Sequence, residues 1–160
     1  MALTIDQVTK HLAVRELSTL VPVEILGYWF QLRLVRNPGA AFSAGASLTP
    51  VITVIALTAA CVVTWFALRV RHRGWAVALG LLLAGVVGNL VDRMFRAPGP
   101  FRGEVVDFFE LPNWPVFNVA DICIDTAAVL FVILLLRGVR LDGTRHEPEG
   151  DPADIVEETS

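Results

Sequence analysis

The sequence predicts a mainly α-helical integral membrane protein, and three observations support this fold class. Of the 160 residues, 54% are hydrophobic and only 18% are charged, with a mean hydropathy of +0.60. A water-soluble domain of this length rarely combines these values, because its surface needs more charge. Three apolar runs are also long enough to cross a bilayer as helices, which takes about 20 residues. They cover approximately residues 51–70, 75–91 and 119–136.

The connections between these runs predict how the spans are threaded. RHRG (71–74) joins the first two runs so tightly that they must form an antiparallel hairpin. The segment 92–117 is polar at its start and rich in proline, and it lies at the opposite membrane face. Arginines are dense around RHRG and follow the last span on the same side, which favours a cytoplasmic position for that side.

The residues ahead of the first run alternate as in a β-strand. YWFQLRLV (28–35) has a period of two, and VPVEIL (21–26) is rich in β-branched residues. We therefore expect a small antiparallel sheet outside the membrane, ending at the turn Asn37-Pro38-Gly39, and we assign 1–47 to an extracytoplasmic β-rich segment. No signal peptide precedes that segment, so we expect a further span to belong upstream of it.

The carboxyl-terminal residues differ in composition from the rest. Between 141 and 160 there are seven acids against one arginine, together with prolines and glycines. Such a segment cannot bury enough apolar surface to fold. We expect 1–140 to form the membrane-embedded domain and 141–160 to be a disordered cytoplasmic tail.

Polar residues cluster where the spans reach the outer face. Antiparallel threading brings the end of the second span, the start of the third and the entry to the first to that same face. The clusters contain acids, amides and bases but no cysteine or histidine, so we expect neither a metal site nor a cofactor. They are IDQVTK (5–10), RNPGAAFS (36–43), GNLVDR (88–93), VVDFFE (105–110) and FNVAD (117–121).

Acids in such clusters are suited to the chemistry of an aspartic peptidase. A carboxylate at bilayer depth costs at least about 2 to 3 kcal/mol, so its presence suggests a function. Two carboxylates held close together cannot both ionise easily, so one keeps a proton near neutral pH. The ionised group can take a proton from water while the protonated group polarises a carbonyl, and no covalent nucleophile is needed.

NPGAAFS, GNLVDR, VVDFF and FNVAD together resemble the motif set of the lipoprotein signal peptidase (signal peptidase II) family, from about Asp6 to Leu136. The resemblance implies a bundle of four transmembrane helices with a small extracytoplasmic sheet, in the bacterial cytoplasmic membrane. It also implies cleavage of prolipoproteins just before a diacylglyceryl-modified cysteine, at the extracytoplasmic face. Globomycin-type peptides inhibit that family.

The resemblance further implies roles for ten residues. Asp107 and Asp121 would be the catalytic dyad. Four residues match motif positions that shape the site by hydrogen bonding, and one glycine matches a backbone position near the substrate. These five are Asn37, Asn89, Arg93, Asn118 and Gly39.

Three further polar residues match structural positions of the family. Asp6 and Lys10 correspond to a polar pair at the outer end of its first helix, most of which is not represented here, and Asp92 to an acid that helps hold the following loop. The chain departs from the family at Asp125, four residues after Asp121 on the same helix face. Asp125 either raises the pKa of Asp121 or faces the bundle interior, paired with an amide.

Two other functions remain open on the residues alone. Intramembrane acids also serve proton-coupled carriers, although neither paired halves nor a broken helix is evident. A non-enzymatic membrane assembly factor would need no paired acids. The peptidase interpretation predicts modified prolipoproteins, membrane lipid and globomycin-type inhibitors as partners, no nucleic acid, and a monomeric chain.

Overall fold

A computed structural model of the chain describes residues 1–39 and 48–144. Two predictions concern residues outside these ranges, namely residues 40–43 of the RNPGAAFS motif and most of the acidic tail. The described residues form four helices and three strands. In chain order these are α1 (Ala2–Glu16), β1 (Val23–Glu24), β2 (Gln31–Asn37), α2 (Thr49–Ala67), α3 (Arg73–Phe95), β3 (Val105–Glu110) and α4 (Val119–Leu136).

The three predicted spans are confirmed as helices α2, α3 and α4. Each is long and apolar enough to cross a membrane, with mean hydropathies of 2.1, 2.0 and 2.5 respectively. The protein is therefore a multi-pass membrane protein. The spans begin and end within four residues of the predicted bounds. The bounds were predictable because polar or charged residues flank the apolar runs.

Helix α3 lies between α2 and α4, and its glycines permit close packing against α4. A Cβ at Gly85 would collide with the Ala120 carbonyl oxygen, and one at Gly88 would lie 3.2 Å from the Ala120 Cβ. Such small residues allow helix backbones to approach within a membrane. Ala120 and these glycines lie near the end of the bundle where α3 ends and α4 begins.

The opposite end of the bundle is closed by an aromatic residue at the start of α3. The Trp75 indole Nε1 donates a hydrogen bond to the Val139 carbonyl at 2.9 Å. Its ring stacks on Phe131, with centroids 5.4 Å apart. The start of α3 thus meets the end of α4, so the two helices are antiparallel.

The predicted sheet is present and is larger than expected. Its three strands are antiparallel in the order β1-β2-β3. Strand β3 lies in the segment 92–117, where no strand was predicted, because the first four residues of VVDFFE are all buried and show no alternation. One face packs through Leu34, Val106 and Phe108 onto Ala13 of α1.

The expectation that 1–47 is β-rich is wrong for its first third, which is helix α1. The buried residues of α1 are Asp6, Lys10 and Ala13, spaced four and three apart. Because two of these core-facing residues are charged, the helix carries no apolar stripe of the kind that hydrophobic periodicity detects. The helix packs against α3 and α4 within the bundle.

Candidate active site

The ten residues singled out from the sequence meet at one end of the bundle, where α2 and α4 begin and α3 ends. Six of them are buried, with exposed fractions between 0% and 8%, and the other four are half-buried. The buried ones are Asp6, Lys10, Asp92, Arg93, Asp107 and Asn118.

Asn118 connects the two candidate catalytic acids. Its side-chain Nδ2 donates to Asp107 Oδ1 at 2.6 Å. Its backbone N–H donates to Asp121 Oδ2 at 3.0 Å, and the Asp121 N–H donates back to Asn118 Oδ1 at 3.1 Å. Asn118 is thus the N-cap of α4 in a reciprocal capping arrangement. The same residue bonds both carboxyl groups, so the structure brings Asp107 and Asp121 together.

Asp107 is held on the other side by Asn37. The Asn37 Nδ2 donates to Asp107 Oδ2 at 2.9 Å, while the Asn37 Oδ1 accepts from the Gly39 N–H at 2.8 Å. Burial raises the pKa of Asp107 to about 6, the bond from Asn37 opposes this rise, and the neighbouring Asp121 adds to it. The pKa of Asp107 thus lies well above the ordinary value for an aspartate.

Asp121 receives its second hydrogen bond from α3. The Asn89 Nδ2 donates to Asp121 Oδ1 at 2.9 Å. The oxygen of the same amide accepts from Lys10 Nζ at 2.9 Å and from Asn118 Nδ2 at 3.2 Å. Both oxygens of each candidate catalytic carboxyl group thus accept a hydrogen bond from an N–H donor, which fixes the orientation of the two groups.

Lys10 lies at the centre of a group of charges that joins the elements. Its Nζ is 2.8 Å from Asp92 Oδ2 and 3.1 Å from Asp6 Oδ2. Asp6 Oδ1 accepts from the Ala120 N–H of α4, and Asp92 Oδ2 accepts from the Val106 N–H of β3. Asp92 also pairs with Arg96 one turn later, and not with the adjacent Arg93.

Charged side chains of both signs form one cluster at this end of the bundle. Four carboxyl groups lie among three cations, so the formal charges of the cluster nearly compensate each other. The cluster consists of Asp6, Asp92, Asp107, Asp121, Lys10, Arg93 and Arg96.

The Asn37-Pro38-Gly39 turn lies over Arg93. The Pro38 carbonyl accepts from Thr49 Oγ1 at 2.6 Å and from Arg93 Nη1 at 3.5 Å. Gly39 has a φ of +101°, and a Cβ there would lie 2.6 Å from Ile52 Cδ1. The backbone conformation favours glycine, whereas the close contact is with the end of a flexible side chain that can move. The Arg93 guanidinium also lies within electrostatic range of Asp107 and Asp121.

Sequence reasoning missed two threonines at this end of α2. Thr49 and Thr53 are fully buried. Thr49 holds the turn, and Thr53 Oγ1 lies 3.0 Å from the Phe101 carbonyl oxygen. Their only signal was a pair of hydroxyls four residues apart at the start of an apolar run.

Asp125 lies outside this network. It is exposed on the surface of α4, and it forms no hydrogen bond or ion pair with the rest of the described chain. The expectation that it pairs with an amide inside the bundle is wrong, because one turn beyond Asp121 the helix presents this position outward.

A cavity of about 500 Å³ opens beside Asp107 on the side of the sheet. It is lined by β2, by Asn37 and Pro38, and by Pro115 and Val116. None of these lining residues belongs to a span, so the cavity gives access to Asp107 from outside the apolar bundle.

The fold and the site define a class: a multi-pass membrane protein with a hydrogen-bonded pair of carboxyl groups, Asp107 buried and Asp121 half-buried, at one end of a helical bundle. Comparison with known proteins supplies the family. The family model described as signal peptidase (SPase) II matches residues 1–137. This chain belongs to the signal peptidase II family.

Individual relatives and solved structures agree with this assignment. A lipoprotein signal peptidase of Streptomyces griseus subsp. griseus is 46% identical over 147 residues, which is 92% of this chain and 75% of the relative. One from Mycobacterium tuberculosis (strain H37Rv) is 48% identical over 91% of this chain and 73% of the relative. A solved bacterial membrane enzyme has a TM-score of 0.70 at 25% identity, covering 85% of this chain and 88% of its own.

Proposed function

We propose that this protein is a membrane aspartic endopeptidase that removes signal peptides from prolipoproteins, cutting just before the diacylglyceryl-modified cysteine. One observation carries the proposal: Asp107 and Asp121 share Asn118 as a hydrogen-bond partner in a buried polar site at the end of the bundle. Relatives that cover most of the chain are named lipoprotein signal peptidases. These facts favour the peptidase over a proton-coupled carrier or an assembly factor.

The reaction needs only water and the two carboxyl groups. The ionised acid takes a proton from a water molecule, whose oxygen attacks the scissile carbonyl carbon. The protonated acid donates a hydrogen bond to the carbonyl oxygen as negative charge develops there. A proton then passes to the leaving nitrogen and the C–N bond breaks. The products are the carboxylate of the signal peptide and the free amine of the modified cysteine.

The surrounding amides set the geometry of this chemistry. Asn37, Asn89 and Asn118 direct four N–H donors at the two acids, counting the backbone N–H of Asn118. Because each acid is fixed by two such bonds, little reorganisation is needed when a proton moves. Arg93 adds a positive charge that offsets the charge of the ionised acid.

We further propose that the protein lies in the bacterial cytoplasmic membrane with its site at the extracytoplasmic face. Arginines 69, 71 and 73 and arginines 137 and 140 belong to the opposite end of the bundle, and such residues favour the cytoplasmic side. Membrane lipid surrounds the spans, globomycin-type peptides block the site, and the chain acts as a monomer.

The experiment is a cleavage assay with the full chain in lipid bicelles. The substrates are a diacylglyceryl-modified precursor and a matched precursor whose cysteine is unmodified. We expect cleavage of the modified precursor alone, and its loss when globomycin is added. No cleavage of either precursor, or equal cleavage of both, would contradict the proposal.

A further inference from the structure

Lys10 makes one contact that charge pairing does not require. Its side chain is fully buried, and Nζ lies near three acceptors: Asp92 Oδ2 at 2.8 Å, Asn89 Oδ1 at 2.9 Å and Asp6 Oδ2 at 3.1 Å. An ammonium group has three N–H donors, so each donor has one partner. The two acids already compensate the charge, and the third bond goes to an amide of the candidate active site.

That third bond fixes the orientation of the Asn89 amide. An ammonium group can only donate, so the amide atom facing Lys10 has to be the oxygen. The NH2 group then faces Asp121 Oδ1, at 2.9 Å. A rotation of the amide by half a turn would bring its NH2 against the ammonium and its oxygen against the carboxylate. Both contacts would be repulsive.

Asn89 needs a side-chain donor, whereas the other two amides of the site do not. The Asn37 oxygen is held by the Gly39 N–H and the Asn118 oxygen by the Asp121 N–H. Asn89 lies inside α3, where backbone N–H groups are already used by the helix. The second donor to its oxygen is the neutral amide of Asn118 at 3.2 Å, and the charged donor at the shorter distance is the stronger one.

We propose that Lys10 is a positioning residue for the cleavage reaction: by fixing the amide of Asn89, it keeps an N–H donor on the Asp121 carboxylate and holds that carboxylate in place to take the proton from water. This inference rests on the proposed function. It assigns Lys10 a role in the rate of the reaction in addition to its role in joining the elements.

The test is a double-mutant cycle on cleavage of the modified precursor. Lys10→Met and Asn89→Ala are made singly and together in an Asp6→Asn background, so that removing the ammonium does not leave two acids without a cation. Loss of an oriented hydrogen bond to a charged group predicts a fall in kcat of roughly 10- to 100-fold for each single variant. We expect KM to stay within about twofold, because the bond acts on proton transfer and not on substrate binding.

Non-additivity distinguishes this role from a structural one. If Lys10 acts through Asn89, adding Lys10→Met to Asn89→Ala lowers kcat by no more than about a further twofold. Effects that multiply, or a kcat for Lys10→Met within twofold of the background, would overturn the proposal. Ala13→Gly is the control for general loss of stability, since Ala13 is buried on the same helix but packs against the sheet; it should lower the melting temperature without lowering kcat.

Two further outcomes are distinguishable. If the Met variant does not fold, Lys10→Gln in the same background takes its place. Its neutral amide orients Asn89 only weakly, so a smaller fall in kcat with the same non-additivity is expected, and an unchanged kcat would overturn the proposal. An inactive wild-type chain would overturn the proposed function and this inference with it, whereas an active wild type with multiplying effects would overturn this inference alone.

Discussion

Replacing Asp107 with asparagine should change how the stability of the protein depends on pH. Burial raises the pKa of Asp107 from 3.8 to about 6. A carboxyl group whose pKa is higher in the folded state contributes stability below its unfolded pKa, and this contribution is lost as the pH rises through the folded value. Asparagine is neutral at every pH, so the variant lacks that loss.

The size of the effect follows from the two pKa values. A rise from 3.8 to about 6 corresponds to about 3 kcal/mol between the protonated and ionised limits. For a domain of this length, about 1 kcal/mol shifts the melting temperature by about 2 to 4 °C. About 2.5 kcal/mol of this difference falls between pH 4 and pH 8, because pH 4 already lies just above the unfolded pKa. The melting temperature of Asp107→Asn minus that of the wild type should therefore increase by about 5 to 10 °C over this interval.

The assay is thermal unfolding in detergent, followed by tryptophan fluorescence at half-unit pH steps. Asn37 and Asn118 both direct NH2 groups at residue 107, and asparagine there must meet one of them with its own NH2. That penalty does not vary with pH, so only the slope of the difference is interpreted. Glu24→Gln, at an exposed position whose side chain bonds to none of the described residues, is the control and should leave the curve unchanged. A difference that stays constant or decreases with pH would refute the role of burial at Asp107.

Three further predictions concern other positions. Asp125→Ala should keep cleavage activity within about threefold of the wild type, since the side chain is exposed and bonded to none of the described residues; a folded but inactive variant would show that the site extends one turn deeper. Gly88→Ala should lower the melting temperature, because its methyl would lie 2.6 Å from Asp6 Oδ2 at a cost of about 1 to 3 kcal/mol. Gly80→Ala, with open space around it, should not lower it, and equal melting temperatures for the two variants would contradict the packing argument. Asn118→Ala removes the donor to Asp107 and the cap of α4. We expect kcat/KM to fall by at least about 100-fold and the free energy of unfolding to fall by about 1 kcal/mol. Activity within tenfold of the wild type would show that the hydrogen bonds from Asn118 to the two acids are dispensable.

The spans were predictable because a helix that crosses lipid needs a continuous run of apolar residues. Such a run has a high mean hydropathy, which can be measured on the sequence alone. Helix α1 was not predictable in the same way. Its core face consists largely of Asp6 and Lys10. Their charges are compensated by each other and by Asp92, and they also bond Asn89 of α3 and the Ala120 N–H of α4. Strand β3 was missed for the related reason that both of its faces are covered. In both elements, contacts with distant parts of the chain decide which residues are buried. The apolar stripe of a helix and the alternation of a strand, on which the prediction depended, are therefore absent.

The motifs predicted which residues lie at the candidate site, but they did not predict which of those residues pair with one another. The spacing of Asp92 and Arg96 suits a pair on one helix face, but the predicted helix ended at residue 91, before either of them. Nothing in the order of residues indicates that Lys10 of α1 reaches Asp92. The bridging role of Asn118 depends on cap geometry together with the register of β3, which local sequence does not specify.

Cleavage of the modified precursor by Asp107→Asn and Asp121→Asn variants tests the central claim most directly. Both substitutions preserve size and remove only the ability to exchange a proton. If the two acids share the work of activating water and polarising the carbonyl, each variant should fold with a melting transition and show no turnover above the buffer rate. Turnover near the wild-type rate in either folded variant would contradict the account.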